Sequence, residues 1–131
     1  MRPNGRRNKT KNNFRSGFEL TIAEQLSRDG CEVRYEKFKL SYTHPERKAT
    51  YLVDFELPNG IIIETKGRLT QADRKKMILV RNQNPKKDIR FVFMNANNKL
   101  YTGSNTTYAN WCDKNNFKWA DGTVPKEWID E

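Results

Sequence analysis

Two carboxylates and a lysine stand close together around a predicted β-hairpin. Asp54 lies inside an apolar segment, and Glu64 and Lys66 follow the isoleucine run that begins at Ile61. An unpaired charge at the end of a buried strand is costly to desolvate, so this end either emerges into water or lines a cleft. Carboxylate oxygens are ligands that Mg²⁺ prefers, and a neighbouring lysine can steer or deprotonate a water and neutralise charge on phosphate. The pattern indicates phosphodiester hydrolysis; the alternative is a solvated sheet face whose Glu64–Lys66 ion pair contributes little.

The length of the hairpin loop decides whether Asp54 can meet Glu64. With a two-residue Asn59-Gly60 turn, Asp54 would face Thr65 and Glu64 would point to the other face of the sheet. With a three-residue loop from Pro58 to Gly60, Asp54 lies opposite Glu64. This second register also puts Leu52 opposite Lys66, with Asp54, Glu64 and Lys66 on one face. It leaves the other face to an apolar set: Val53, Phe55, Ile61 and Ile63. Carboxylates directly opposite each other repel, and a divalent cation would reverse that term.

The hydrophobic pattern predicts the elements that position these residues. Alternation over 31–42 slips in phase near Glu36–Lys37, which predicts a bulge in a long strand, and the polar residues 43–49 read as a loop. The other expected elements are helices over 16–30, 70–84 and 104–115, strands over 51–57, 61–65 and 89–94, and a helical turn after Pro125. This order indicates an α/β fold, with a mixed central β-sheet flanked by helices in one domain over residues 16–131.

Charge and composition point to a polyanionic partner. The 131 residues include 25 Lys and Arg against 16 Asp and Glu, a formal net charge of +9, and the pI is near 9.7. The sequence has no apolar run of membrane-spanning length and no apolar signal region, so we expect an intracellular protein without a membrane partner. Two distant cysteines and one histidine argue against a zinc site and indicate two buried thiols.

The basic residues divide into two groups. Residues 1–15 hold six basic and no acidic side chains, which predicts a flexible arm that contacts phosphates; the alternative is a solubilising tail. A second group follows the hairpin, where a solvated face is the alternative for about half of its members. The predicted nucleic-acid-binding residues are Arg6, Arg7, Lys9, Lys11, Arg15, Arg68, Arg74, Lys75 and Lys76.

Several stretches carry a resemblance to known nucleases. Asp54 followed by Glu64-Thr65-Lys66 resembles the D…ExK pattern of the restriction-endonuclease-like superfamily, whose core has a similar order of elements. More specific stretches resemble the bacteriophage endonuclease I family of Holliday-junction resolving enzymes, and together they span residues 14–129. They are FRSGFE (14–19), LPNGIIIETKG (57–67), DRKK (73–76), KLYTGS (99–104) and PKEWI (125–129). One departure is Val53, where superfamily members often have proline; that position supplies no ligand.

The resemblance implies a function and a set of site residues. It implies a structure-selective endonuclease for four-way DNA junctions that uses Mg²⁺, with Mn²⁺ as a substitute, and no small-molecule cofactor. Two ions are implied: Asp54, Glu64 and the Thr65 carbonyl hold the first, and Glu19 helps hold the second. Glu19 also fits a helix-capping box with Ser16, and the two roles can coexist. The catalytic set is therefore Glu19, Asp54, Glu64 and Lys66.

The resemblance also implies a quaternary structure and a location. Family members form an intertwined, domain-swapped homodimer, in which Glu19 of one chain joins Asp54, Glu64 and Lys66 of the other. We expect residues 42–50 to form the bridge between subunits, and the cytoplasm of an infected bacterium to be the location if this is a phage protein. The alternatives are a general metal-dependent DNase of the same superfamily, a non-catalytic protein that binds branched DNA, and a basic structural protein.

Overall fold

The computed structural model describes residues 16–44 and 47–131. The predicted arm, with Arg6, Arg7, Lys9, Lys11 and Arg15, lies outside these residues, as do Pro45 and Glu46 in the predicted bridge. The helices are α1 (Gly17–Arg28), α2 (Gln71–Gln83), α3 (Tyr108–Lys114) and α4 (Lys126–Ile129). The strands are β1 (Arg34–Tyr35), β2 (Lys39–His44), β3 (Arg47–Leu52), β4 (Phe55–Glu56), β5 (Ile61–Lys66), β6 (Asp88–Phe93) and β7 (Lys118–Asp121).

A mixed five-stranded sheet with the order β1-β4-β5-β6-β7 forms the centre of the structure. Strands β1, β4 and β5 pair in antiparallel fashion, whereas β5, β6 and β7 pair in parallel. This confirms the predicted α/β class with a mixed sheet. Strand β7 was not among the predicted elements, because its sequence Lys-Trp-Ala-Asp is too short and polar to show a strand pattern.

Strand β5 is buried on both faces, which explains its unbroken run of isoleucines. Ile61 and Ile63 pack with Ile22 and Leu26 of α1 in one apolar cluster. Ile62 belongs to a second cluster, on the other face, that includes side chains of α2 and α3. Helices on both faces therefore hold the strand that ends in Glu64 and Lys66.

Two predicted strands break in the middle, and the chain passes from one sheet to another at each break. The strand predicted over 31–42 divides at Glu36, whose φ is 48°, and its second half becomes β2. The strand predicted over 51–57 divides at Val53–Asp54. Strands β2 and β3 pair as a separate two-stranded sheet, so most of the loop predicted over 43–49 is β-structure. Alternation does not reveal that the two halves join different sheets, because each half keeps a strand-like pattern.

These breaks correct two sequence-based predictions. Leu52 pairs with Lys39 in the small sheet and does not lie opposite Lys66. Val53 packs in the cluster of Ile62, whereas Phe55 packs in the cluster of Ile61 and Ile63. Because the chain turns between Val53 and Phe55, their spacing of two residues does not put them on the same face of a sheet.

The caps of two helices explain where those helices begin. The Thr70 hydroxyl accepts from the Asp73 N–H at 3.1 Å, and the Asp73 carboxylate accepts from the Thr70 N–H at 3.0 Å, which completes a capping box for α2. Helix α3 begins at Tyr108, four residues after the predicted start at residue 104, because Thr107 caps it. The Ser104 hydroxyl instead accepts from the Thr106 N–H within the preceding loop.

Candidate active site

The hairpin between β4 and β5 has the predicted three-residue loop. The Leu57 N–H donates to the Ile61 carbonyl at 2.8 Å, and Phe55 pairs with Ile63. Gly60 has a φ of 92°, which a glycine adopts without steric cost. The two-residue alternative is therefore wrong, and the predicted register is correct from the loop back to Phe55, where β4 begins.

Asp54 is buried at the point where the chain leaves the sheet. Its side chain is held at the edge of β5, because Oδ2 accepts from the Thr65 N–H at 3.0 Å and from the Thr65 hydroxyl at 3.1 Å. The carboxylate thus takes the place of the backbone acceptor that a continuing strand would offer to Thr65. Asp54 is only 2% exposed, so its orientation is set by these two bonds and by the surrounding packing.

Three carboxylates meet beside this strand end. Glu19, Glu36 and Asp54 each offer one oxygen, and these oxygens lie within 4.8 Å of one another. Glu19 comes from the first turn of α1, where Ser16 accepts from the Glu19 N–H and caps the helix, and its carboxylate accepts from the Tyr35 hydroxyl. Glu19 and Asp54 are buried and Glu36 is half-buried. Buried oxygen donors at this spacing fit a hard cation such as Mg²⁺.

Sequence reasoning missed Glu36 as a member of this group. The phase slip in the alternation near Glu36–Lys37 was the available signal, since breaks and bulges often re-aim a side chain at a site. The left-handed φ of Glu36, rare outside glycine, asparagine and aspartate, turns the chain at this break. Nothing in the local sequence shows that this turn brings Glu36 to Asp54.

Glu64 and Lys66 form a second arrangement on the opposite face of β5. The Tyr51 hydroxyl donates to Glu64 Oε1, and Lys66 Nζ lies 3.2 Å from Glu64 Oε2. Glu64 is only 6% exposed, so the predicted alternative of a solvated sheet face is wrong. Lys66 Nζ also lies 3.1 Å from Asp73 Oδ1 at the start of α2.

The structure therefore divides the predicted site between two sides of one strand end. Side chains alternate along β5, so Thr65 points away from the face of Glu64 and Lys66. Asp54 reaches the Thr65 hydroxyl and meets Glu19 and Glu36, which corrects the prediction that Asp54 shares a face with Glu64 and Lys66. The physical reason is the break at Val53–Asp54, which frees Asp54 from the alternation of β4.

Opposing effects act on the ionisation of Lys66 and Asp73. Burial lowers the pKa of Lys66, but the carboxylates of Glu64 and Asp73 raise it by more, so the net pKa lies above its ordinary value. Burial raises the pKa of Asp73, but hydrogen bonds from Thr70 and the charge of Lys66 lower it by more, and the net direction is downward. Both groups are therefore charged at neutral pH.

The predicted DNA-contact residues around α2 are not equally available. Arg68 and Lys75 are exposed. Arg74 is half-buried and donates to the Leu69 carbonyl at 2.9 Å, and the Lys76 ammonium lies 5.3 Å from the centre of the Tyr51 ring. Arg68 and Lys75 are thus the better placed of the four to meet a phosphate.

The fold and site define an α/β protein with a mixed sheet and an acidic, cation-compatible site beside a lysine. The model of the phage endonuclease I family matches residues 2–131, so the chain belongs to that family. Endonuclease I of Escherichia phage T7 is 48% identical over 118 residues, which cover 90% of this chain and 79% of the relative. Endodeoxyribonuclease 1 of Enterobacteria phage T3 is 45% identical over 118 residues, which cover 90% of this chain and 78% of the relative. Among the residues that the structure describes, no helix is long and apolar enough to cross a membrane.

Proposed function

We propose that this chain is a metal-dependent endodeoxyribonuclease that resolves four-way DNA junctions. The observation that carries the proposal is the β5 strand end, where Thr65 binds Asp54 of the acidic group while its two neighbours form the Glu64–Lys66 pair. Family membership and the names of the two relatives support DNA as the substrate. The net charge of +9 supports a phosphate-rich partner.

Mg²⁺ is the proposed cofactor, with Mn²⁺ as a substitute and two ions in each site. Asp54, Glu19 and the newly identified Glu36 are proposed ligands because their oxygens already converge. Glu64 and the Thr65 carbonyl are proposed for the first ion together with Asp54, because Asp54 binds Thr65 and Glu64 is the neighbour of Thr65 in the chain. When bound, the ions supply Lewis acidity and an activated water for phosphodiester hydrolysis.

Lys66 contributes a positive charge and a hydrogen-bond donor to the proposed reaction. Its ammonium is held between two carboxylates and is half-buried, so its position is defined before DNA arrives. A preorganised donor of this kind stabilises charge that develops on phosphate oxygens. The Tyr51 hydroxyl orients Glu64, the partner of Lys66 in the ion pair, by donating a hydrogen bond to its carboxylate.

We further propose that the protein acts as an intertwined homodimer with residues 42–50 as the bridge, in the cytoplasm of a phage-infected bacterium. Two sites related by a dyad could cut two strands of a junction symmetrically. In the single chain, α1 is joined to the C-terminal region by Gln25, whose amide donates to the Val124 carbonyl at 3.1 Å and accepts from the Val124 N–H at 2.9 Å. A swap would make the same contact between two chains.

A cross-linking experiment tests the swap. Gln25→Cys and Val124→Cys are combined, treated with a short bifunctional thiol reagent and compared with each single variant on a denaturing gel. A swapped dimer gives covalent dimers only in the double variant. Cross-linked monomers would show that α1 packs on its own chain and would remove the swap from the proposal.

Cleavage of a labelled four-way junction and of its matching linear duplex tests the proposed activity. Both substrates are incubated with Mg²⁺ and with EDTA, using wild type, Glu64→Gln, and Glu32→Gln as a control that neutralises an exposed carboxylate. We expect paired cuts near the junction that disappear with EDTA and with Glu64→Gln, while junction binding by Glu64→Gln and cleavage by Glu32→Gln persist. Equal cutting of the duplex would instead indicate a general DNase, and binding without metal-dependent cleavage would indicate a non-catalytic junction-binding protein.

A further inference from the structure

Lys66 is held from a second side by a residue that the D…ExK pattern does not include. Its ammonium lies 3.2 Å from Glu64 Oε2 and 3.1 Å from Asp73 Oδ1. The two side chains of the second contact are only 20% and 26% exposed. Asp73 is thus the second carboxylate beside a lysine that the proposed function places in the reaction.

Asp73 is itself fixed by the start of α2. Its Oδ2 accepts from the Thr70 N–H at 3.0 Å, and its own N–H donates to the Thr70 hydroxyl at 3.1 Å. One oxygen of Asp73 therefore completes the helix cap while the other contacts Lys66. The position of the Lys66 ammonium is therefore linked to the first turn of α2, which is a rigid part of the structure.

A lysine needs a second contact to hold its ammonium in one position, because its flexible four-carbon side chain has many rotamers. Glu64 alone would leave the ammonium free to swing about a single contact, and Glu64 is also a proposed metal ligand. With Asp73 on the other side, the ammonium is confined between two acceptors. The same turn of α2 leads into Arg74, Lys75 and Lys76, so a shift of α2 on phosphate contact would also move Lys66.

We propose that Asp73 is a positioning residue for Lys66, with its own carboxylate held by the hydrogen bond that it accepts from the Thr70 N–H. This inference rests on the proposed nuclease function. Asp73 does not touch the reacting atoms in this role; it determines where the Lys66 ammonium stands. A displacement of about 1 Å at a reacting group can reduce a rate by about a hundredfold.

Two variants separate positioning from capping. Asp73→Asn retains an oxygen that can accept from the Thr70 N–H and removes the charge that holds Lys66. Thr70→Ala removes the capping hydroxyl and leaves the Asp73–Lys66 contact in place. A purely structural role for Asp73 predicts that Thr70→Ala harms the protein at least as much as Asp73→Asn does.

The test is a double-variant cycle with single-turnover cleavage of a labelled four-way junction in Mg²⁺. Wild type, Asp73→Asn, Lys66→Gln and the double variant are compared, with junction affinity measured separately by gel shift. We expect Asp73→Asn to lower the cleavage rate by about tenfold to a hundredfold with nearly unchanged affinity. In the Lys66→Gln background, Asp73→Asn should have no further effect, because there is no ammonium to position. Thr70→Ala should lower the melting temperature and keep the wild-type rate.

Three results would overturn the inference while the proposed function stands. The first is a wild-type rate for Asp73→Asn. The second is an equal loss from Asp73→Asn in the wild-type and Lys66→Gln backgrounds, and the third is an equal loss of rate in Thr70→Ala. If the wild type cuts no DNA with Mg²⁺, the proposed function fails, and the role of Asp73 in it fails for that separate reason.

Discussion

Replacing Asp54 by asparagine should stabilise the metal-free protein and abolish its stabilisation by Mg²⁺. One carboxylate oxygen of Asp54 lies within 4.8 Å of a carboxylate oxygen of Glu19 and of one of Glu36. At an effective dielectric constant of about 20, two charges at this distance repel by about 3 kcal/mol. Asp54→Asn removes two such repulsions and retains an oxygen that can accept from the N–H and the hydroxyl of Thr65.

The expected net gain is smaller than the full repulsion. The two bonds from Thr65 weaken by about 1 kcal/mol each when their acceptor loses its charge, and screening by solvent reduces the repulsion further. We therefore expect the free energy of unfolding in EDTA to rise by about 1–3 kcal/mol, which corresponds to about 3–5 °C in melting temperature for each kcal/mol. Wild type should gain about 2.7 kcal/mol when Mg²⁺ is raised to about 100 times its Kd.

The assay is urea unfolding followed by tryptophan fluorescence at fixed protein concentration, in EDTA and over a series of Mg²⁺ concentrations. Glu32→Gln provides the control, since it makes the same change in net charge at an exposed position and should alter neither quantity. Asp54→Ala should be destabilising, because it leaves the buried Thr65 N–H without its acceptor. The reasoning is refuted if Asp54→Asn is less stable than wild type in EDTA, or if it gains as much stability from Mg²⁺ as wild type does.

Three further predictions concern groups outside the carboxylate cluster. Hydrogen bonds from Arg90 lower the pKa of Glu131 below its ordinary value of 4.5. The stability that this interaction contributes is present above that value and is lost as the pH falls through the lowered pKa. Glu131→Gln should therefore flatten the fall in stability below pH 4.5 in acid titrations. Burial raises the pKa of the Cys112 thiol to about 12, so iodoacetamide at pH 8 should leave it unmodified in the native protein and modify it after unfolding, as peptide mass spectrometry would show. Lys75 is exposed on α2, and Lys75→Gln should reduce the slope of log K for junction binding against log salt by about 0.9 if it contacts one phosphate; an unchanged slope would exclude that contact.

Much of the site could be predicted from the sequence because its key relationships are local. The Pro58-Asn59-Gly60 loop determined the register of the β4–β5 hairpin through turn chemistry that depends on neighbouring residues. The spacing of Glu64 and Lys66 placed both on one face of a strand, where they form the observed ion pair. The predicted start of the second helix at residue 70 agrees with the cap of α2 at Thr70 for the same reason.

The contacts that complete the site could not be predicted in this way. Asp54 left the expected face because the chain breaks at Val53–Asp54, and each half of the broken segment still reads as a strand. Glu36 joined the cluster because a left-handed turn redirects it, and Glu19 arrived on a helix that packs against the opposite face of β5 from Glu64. Local patterns carry no information about which sheet a strand joins.

The sequence by itself determined the residues that can do chemistry, the hairpin that presents Glu64 and Lys66, and the family to which the chain belongs. Only the tertiary structure decided that Asp54 lies with Glu19 and Glu36, and that Asp73 contacts Lys66 as well as Glu64 does. The physical reason is the separation along the chain over which each effect acts. Turn geometry and strand alternation act over a few residues, whereas these contacts depend on the packing of α1 and α2 against two faces of one buried strand.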